Sequence, residues 1–257
     1  VEKLWSKTWQ MACRESQVSK PGDYFVYDIV NQSVLITRTE TGELKAHINS
    51  CLHRGRALKR GQGKNAKELR CPYHGFTWEL SGEFRGMPCE WDFAHVKEEN
   101  FSLPGLRVET WGGWVFVNFD QDCMPLEEYM GILPEHFQRW PAERRYVAMH
   151  VEKVINCNWK AAVEAFIESY HAIHTHPQLM PYQGIDNSQY DVWGDNVSRT
   201  ITTYATINPS HEDQYSEQDS LDSMLGVEGE PEKDNVVEGR FSAHWRCLDA
   251  QSNEVQN

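Results

Sequence analysis

The chain has 257 residues, of which 40% are hydrophobic, enough to build a sizeable core in two modest domains or one large one. Acidic residues outnumber Lys and Arg by 38 to 25, and the net charge of -13 argues against nucleic acid or an anionic membrane as a partner. No segment has the roughly 20 apolar residues needed to span a bilayer and no signal-peptide pattern begins the chain, so we expect a cytoplasmic protein with reduced cysteines.

Residues 24–119 consist of short apolar runs that are rich in β-branched and aromatic residues and are separated by polar turns. This pattern predicts β-strands at YFVYDIV, SVLITR, LKAHINS, FTWEL and WVFVNF. Thr41-Gly42 and Ser81-Gly82 are the expected tight turns, because glycine adopts a positive φ without strain. The first half of the chain is therefore predicted to be all β, after an N-terminal lead-in.

The pattern of apolar residues changes after residue 120, where their spacing becomes helical and is interrupted by Pro134. We place a domain boundary there, which divides the chain into 1–122 and 123–257. Further strands are expected near residues 146–155 and from Val197 onward. Residues 209–238 hold ten acidic side chains and one lysine, which predicts a solvated loop.

Two short pairs of metal-ligating side chains lie in the first half of the chain. Cys51 and His53 are separated by one residue, and Cys71 and His74 by two. Two thiolates and two imidazoles suit either a zinc ion or an iron-sulfur centre. Neighbouring Gly and Pro residues allow backbone N–H groups to point at sulfur at the tips of the predicted hairpins, and this favours the cluster.

A second group of polar residues follows Asn158, which is a plausible N-cap for a helix that Pro177 would end. Glu164, Glu168 and His171 are spaced four and three apart, so they would share one face of that helix. His171 and His176 would point about 140° apart on a straight helix. The proline frees His176 from the helix, so the two imidazoles are able to converge.

Both patterns resemble those of the Rieske non-heme iron oxygenases, the α-subunits of aromatic ring-hydroxylating dioxygenases and their monooxygenase relatives. The resemblance implies an α+β protein in which an all-β Rieske domain precedes a helix-grip catalytic domain. It implies a [2Fe-2S] cluster with Cys51 and Cys71 on one iron and His53 and His74 on the other.

The same resemblance implies a mononuclear Fe(II) held by His171 and His176. Glu168 would then connect this iron to the cluster of a neighbouring subunit, with Glu164 supporting it. The family uses a third, carboxylate ligand far toward the C-terminus, and we find no candidate before Asn257. Because the residues after 122 are also too few for a helix-grip domain, we expect the chain to be incomplete.

The resemblance also implies a terminal oxygenase that hydroxylates an organic, typically aromatic, substrate with O2 and electrons from a reductase or ferredoxin. Glu168 stands where the ring dioxygenases more often have Asp, which leaves room for a monooxygenase or demethylase that acts on a non-aromatic or amine substrate. A homotrimer or an α3β3 assembly is expected. The alternatives are a pure Rieske electron-transfer protein and, less favoured, a zinc-binding interaction module.

Overall fold

The computed structural model describes residues 3–225, which form two compact units. Among the described residues, the first unit comprises 3–129 and Ala142–Tyr146, and the second comprises Met130–Pro141 and 147–225. The domain division near residue 122 stays a prediction. No helix within residues 3–225 combines the length and apolar character needed to cross a membrane.

The described part of the first unit is built almost entirely from short strands. In chain order its elements are β1 Gln10–Arg14, β2 Tyr24–Ile29, β3 Gln32–Arg38, β4 Leu44–Ile48, β5 Gln62–Gly63, β6 Leu69–Arg70, β7 Thr77–Trp78, β8 Phe84–Gly86, α1 Glu98–Phe101, β9 Gly105–Trp111, β10 Trp114–Asn118 and α2 Leu126–Met130. Short 3-10 turns lie at Glu15–Val18, Glu90–Asp92 and Ala142–Arg144.

The strands of the first unit form two antiparallel sheets. The larger has the order β1-β10-β9-β4-β3-β2-β5, and the smaller has the order β6-β7-β8. In β3, Val34, Leu35 and Ile36 are all fully buried, and Leu35 packs in one apolar cluster while its two neighbours pack in another. Because successive side chains point to opposite faces of a strand, both faces of the larger sheet are covered here.

The five predicted strands of the first half are confirmed, and so are both glycine turns, with φ of +84° at Gly42 and +91° at Gly82. Five strands were not predicted, namely β1, β9 and the very short β5, β6 and β8. β1 lies in the segment interpreted as a lead-in, and β9 is paired with β10 and β4. The all-β first unit agrees with the predicted fold class.

The second unit is mixed. Its elements are α3 Leu133–His136, α4 Trp159–Ile167, α5 Ala172–Thr175, β11 Gln183–Trp193, β12 Val197–Tyr204 and α6 Glu217–Leu225, with 3-10 turns at Pro177–Leu179 and Pro209–His211. β11 and β12 pair as an antiparallel hairpin. A small apolar cluster of Ala172, Met180 and Ile185 joins α5 to the start of β11.

Two expectations for this unit are wrong. Residues 146–155 form no strand, because their backbone pairs with no other strand among residues 3–225 and their apolar side chains are not packed; Val154 is 98% exposed. The predicted loop at 209–238 contains α6, whose start is capped by mutual hydrogen bonds between Ser216 and Asp219. The remainder of that predicted loop, 226–238, lies outside the described residues.

Candidate metal centres

The first pair of predicted ligands lies on a loop that folds back on its own cysteine. Cys51 N donates to Arg56 O at 2.8 Å, and Gly55 N donates to Cys51 O at 2.8 Å. Gly55 has a φ of +71°, which lies in the left-handed region that favours glycine. The closed turn fixes Cys51 at the base of the loop and leaves His53 near its tip.

The second pair lies on a loop of the same design. Cys71 N donates to Phe76 O at 2.7 Å, Gly75 N donates to Cys71 O at 3.1 Å, and Gly75 has a φ of +74°. This loop joins β6 to β7, which pair with each other, so the predicted hairpin tip is confirmed here. It is wrong for the first loop, because β4 pairs with β3 and β9 while β5 pairs with β2.

The four side chains divide by burial in the same way on both loops. Cys51 and Cys71 are 3% and 2% exposed and belong to an apolar cluster, whereas His53 and His74 are exposed. The two imidazole rings lie 4.8 Å apart between centroids, and His53 also stacks on Phe76 at 5.1 Å. The structure therefore brings together all four residues that the sequence singled out.

Two opposed effects act on the Cys51 thiol. Burial raises its pKa, and the neighbouring Cys71 thiol raises it further, while the backbone N–H groups of His53 and Arg54 lower it. A cation bound between these two buried thiols would favour their thiolate forms, and the amide N–H groups directed at sulfur would act in the same direction. The predicted amide N–H groups at sulfur are thus present at Cys51.

An apolar cavity of about 700 Å³ lies beside the two imidazoles. Its lining includes both rings, and its apolar part comes mainly from Leu52, Phe76, Met87, Phe93 and Phe101. The histidine side of the paired loops is therefore open, while the cysteine side is enclosed in the core.

The second group of polar residues does not lie on one helix, which corrects the sequence-based expectation. Asn158 is the N-cap, as predicted, and its side chain accepts from Lys160 N at 2.9 Å. The helix α4 ends at Ile167, and Glu168 is extended, with φ of -136° and ψ of 156°. The predicted shared face of Glu164, Glu168 and His171 is consequently wrong, and no residue of α4 is buried.

The two predicted iron-binding histidines flank the short helix α5. His171 precedes it, and His176 follows it with a non-helical φ of -128° and ψ of 58°, as the next residue, Pro177, predicts. Their ring centroids lie 5.5 Å apart at an angle of 74°. His174, on the helix between them, is exposed. The departure of His176 from helical geometry brings the two rings close despite the unfavourable spacing.

Glu168 binds His171 through both carboxylate oxygens. Oε2 accepts from His171 N at 3.2 Å, and Oε1 contacts the ring atom Nδ1. The hydrogen bond to this side chain holds the pKa of Glu168 below its usual value. An ionised carboxylate at Nδ1 favours the tautomer with the proton on that atom, and Nε2 is then left with a free lone pair.

Glu164 lies apart from this arrangement. Its side chain is exposed on α4, and among residues 3–225 it has no hydrogen-bond or ion-pair partner. Within the same described residues, no three His, Cys, Asp or Glu side chains converge as a single metal ion with three protein ligands would require. The described part of the chain thus supplies pairs of ligands, and a third ligand for His171 and His176 is not among them.

Sequence reasoning missed the residues that hold the break between α4 and α5. Ser169 lies in this break and bonds to Ser188 and Tyr190 of β11. The available signal was the alternation of hydroxyl residues in β11 and β12, which places them on one face of the hairpin.

Comparison with known proteins agrees with these observations. Residues 8–98 match the family described as Rieske [2Fe-2S] domain, and residues 135–241 match the ring hydroxylating alpha subunit (catalytic domain). The first of these domains binds a [2Fe-2S] cluster, and the second family uses a mononuclear iron. Together they span both groups of predicted ligands.

Individual relatives fall in two classes. The chain is 32% identical over 178 residues to the biphenyl 2,3-dioxygenase subunit alpha of Rhodococcus jostii (strain RHA1), covering 67% of this chain and 39% of that protein. It is also 32% identical over 190 residues to the carnitine monooxygenase oxygenase subunit of Acinetobacter pittii (strain PHEA-2), covering 68% and 48%. The chain therefore spans less than half the length of these relatives.

A solved structure of a quaternary ammonium Rieske monooxygenase superposes with a TM-score of 0.70 at 26% identity, covering 77% of this chain and 57% of the other. The matched domains, their order along the chain and the folds of the two units all indicate the same family. The chain belongs to the Rieske non-heme iron oxygenases, as a relative of the ring-hydroxylating α-subunits.

Proposed function

We propose that this chain belongs to a terminal oxygenase component that hydroxylates an organic substrate with O2 and electrons relayed through its Rieske domain. The observation that carries the proposal is the presence in one chain of two loops that each hold a Cys and a His, together with the Glu168–His171–His176 group. A Rieske electron-transfer protein has no use for the second group. A zinc module would need neither the paired loop design nor the second domain.

We propose Cys51 and Cys71 as ligands of the inner iron of the cluster, and His53 and His74 as ligands of the outer iron. The burial of the thiols, the exposure of the imidazoles and their 4.8 Å separation support this division. A two-iron cluster needs only two protein ligands at each iron, so pairs of ligands are sufficient. The donor chemistry of the site therefore fits the cluster.

His171 and His176 are the proposed protein ligands of the mononuclear iron, with their third partner outside the described residues. When bound, the cluster supplies single electrons and the iron activates O2. Glu168 orients His171 by holding its Nδ1 proton, so that Nε2 faces away from the carboxylate. Glu164 is proposed as a supporting residue of Glu168; its side chain is exposed and without a partner within residues 3–225.

The electron donor is proposed to be a separate reductase or ferredoxin with an acidic face. Residues 54–70 carry seven Lys or Arg and only one acidic residue, in a chain whose net charge is -13. Six of the seven are exposed: Arg54, Arg56, Arg60, Lys64, Lys67 and Arg70. This basic segment lies between the two ligand loops, so it would attract an acidic partner to the vicinity of the cluster.

For the substrate, we propose an aromatic compound first and a quaternary amine second. The match to the ring-hydroxylating family supports the first class. The second is supported by Glu168 in place of the more common Asp, and by the similarity to the carnitine and quaternary ammonium monooxygenases. A cytoplasmic location and an oligomer, either a homotrimer or an α3β3 assembly, complete the proposal.

Two measurements test this function. Iron analysis with electron paramagnetic resonance should give the signal of a reduced Rieske cluster and about one additional iron for each chain. O2 consumption should then rise with one substrate class when biphenyl and carnitine are supplied with a surrogate reductase, and product analysis should identify the hydroxylated compound. Zinc in place of iron, or a cluster with no additional iron in the full-length protein, would exclude an oxygenase.

A further inference from the structure

The break between α4 and α5 is held by hydroxyl groups from the neighbouring hairpin. Ser169 N donates to Tyr190 Oη at 3.0 Å, and Ser169 Oγ lies 2.5 Å from the same phenol oxygen. Ser169 Oγ also donates to Ser188 Oγ at 2.8 Å, which lies 2.8 Å from Thr202 Oγ1. These four side chains are named here the hydroxyl chain.

The hydroxyl chain has one consistent direction. Because Ser169 Oγ donates its proton to Ser188, the short contact with Tyr190 must be a donation from the phenol to Ser169. Ser188 is then free to donate to Thr202. Each hydroxyl therefore donates to the next, and the phenol oxygen accepts the backbone N–H of Ser169 in return. A directed chain of this kind is stronger than isolated bonds.

The strands explain why these groups meet. Tyr190 pairs with Thr200 in the β11–β12 register, so Ser188 and Tyr190 share a face with Thr200 and Thr202. Thr200 Oγ1 donates to Ile167 O at 3.2 Å, the last residue of α4. Residues on both sides of Glu168 are thus tied to the same face of the hairpin.

This anchoring places the Glu168 carboxylate against His171. In an uninterrupted helix its backbone would be helical, whereas here it is extended and its carboxylate contacts both the backbone N–H and Nδ1 of His171. Ser169 O also accepts from Ala172 N at 3.0 Å, which starts α5 directly after the break. The position of Glu168 against His171 therefore depends on where Ser169 is fixed.

We propose that Tyr190, acting with Ser169 and Ser188, is a positioning residue for the Glu168–His171 pair. The proposal rests on the proposed function, because it concerns the imidazole that would hold the mononuclear iron. Tyr190 touches neither substrate nor metal in this scheme. It fixes the backbone that keeps Nε2 of His171 in a constant orientation.

The test measures Fe(II) binding to the cluster-loaded full chain under anaerobic conditions, by competition with a chelator. Tyr190→Phe removes the phenol oxygen and keeps the ring, and we expect Fe(II) to bind about tenfold more weakly, as for other outer partners of metal-binding histidines. Tyr170→Phe is the matched control, since Tyr170 is 82% exposed and its phenol has no partner within residues 3–225. The cluster spectrum should be unchanged in both variants.

A double-mutant cycle distinguishes positioning from general support of the fold. If Tyr190 acts through Glu168, Tyr190→Phe should weaken Fe(II) binding by less than twofold when it is introduced into Glu168→Gln. A structural role would give the full tenfold loss in both backgrounds. Ser169→Thr, which retains the hydroxyl, should bind Fe(II) more tightly than Ser169→Ala, and this pair checks the chain without altering Tyr190.

The outcomes separate this proposal from the proposed function. Equal Fe(II) affinity of Tyr190→Phe and Tyr170→Phe, or additive losses in the cycle, would overturn the positioning role while leaving the iron site in place. Absence of Fe(II) binding by the unmodified full-length protein would overturn the proposed function, and the positioning role with it.

Discussion

Substitution of His47 should remove a large part of the loss of folding stability that the first unit undergoes at acid pH. The His47 side chain lies on β4, is only 4% exposed, and packs against the turn at Gly82, where an added β-carbon would collide with the ring. Neither ring nitrogen makes a well-formed hydrogen bond within residues 3–225. Burial, reinforced by Lys45, lowers the pKa of His47 to about 4, although backbone groups of Leu80 and Leu103 oppose this shift.

The sign and size of the effect follow from the difference in proton binding between the two states. The unfolded chain binds a proton at this residue near pH 6.5, whereas the folded chain binds it only near pH 4. The stability associated with neutral His47 is thus fully present above pH 6.5 and is lost as the pH falls toward 4. From these values, the loss is about 2 kcal/mol at pH 5 and about 3 kcal/mol at pH 4.

The assay is urea unfolding followed by tryptophan fluorescence, at pH 7.5 and at pH 5, for the unmodified chain and for His47→Phe. We expect the unmodified chain to lose about 2 kcal/mol more than the variant between the two pH values. His95→Phe is the control, because that histidine is exposed in the same unit. Equal losses of unfolding free energy by His47→Phe and the unmodified chain on acidification would contradict a lowered pKa at His47.

Three further perturbations test the cluster loops and the second unit. Gly75→Ala and Gly42→Ala should each lower the free energy of unfolding by about 1 kcal/mol, because both glycines have a positive φ. Only Gly75→Ala should release the cluster, since Gly75 lies in the loop of Cys71 and His74 and its added β-carbon would lie 3.3 Å from Pro88. Equal retention of the cluster by the two variants in urea would contradict this. Arg56→Glu should slow oxidation of the reduced cluster by the ferricyanide anion severalfold at low salt, and by a smaller factor at 0.15 M salt. A rate independent of the substitution would argue against electrostatic attraction by the basic segment. Asn158→Ala should cost about 1 kcal/mol in urea unfolding through loss of the helix cap, whereas Asn158→Asp should retain it.

The cluster loops were predictable because their design is local. Each places a glycine of positive φ four residues after its cysteine, and the closing hydrogen bonds link residues at most five apart. The identity and spacing of Cys51, His53, Cys71 and His74 therefore carried the prediction. The hairpin expected around the first loop failed because β5 pairs with β2, a partner that no local pattern reveals.

The second group of residues was predictable only in part. Pro177 and Asn158 correctly indicated where the helical segment begins and where His176 leaves it, because both act on their immediate neighbours. The capping pair Ser216 and Asp219 was also present in the sequence, but the acidic composition of its surroundings outweighed it in the prediction of a loop.

By itself, the sequence determined the candidate ligand residues, the two loops that carry the Cys and His pairs, and the end of the segment that carries His171 and His176. Only the tertiary structure decided that the helix breaks at Glu168. The helical pattern runs through that position, and the hydroxyl groups of Ser188 and Tyr190 that hold the break come from a strand about twenty residues further along the chain. Hydrogen bonds between distant segments form only after the hairpin has packed, so no periodicity within the helix could have indicated them.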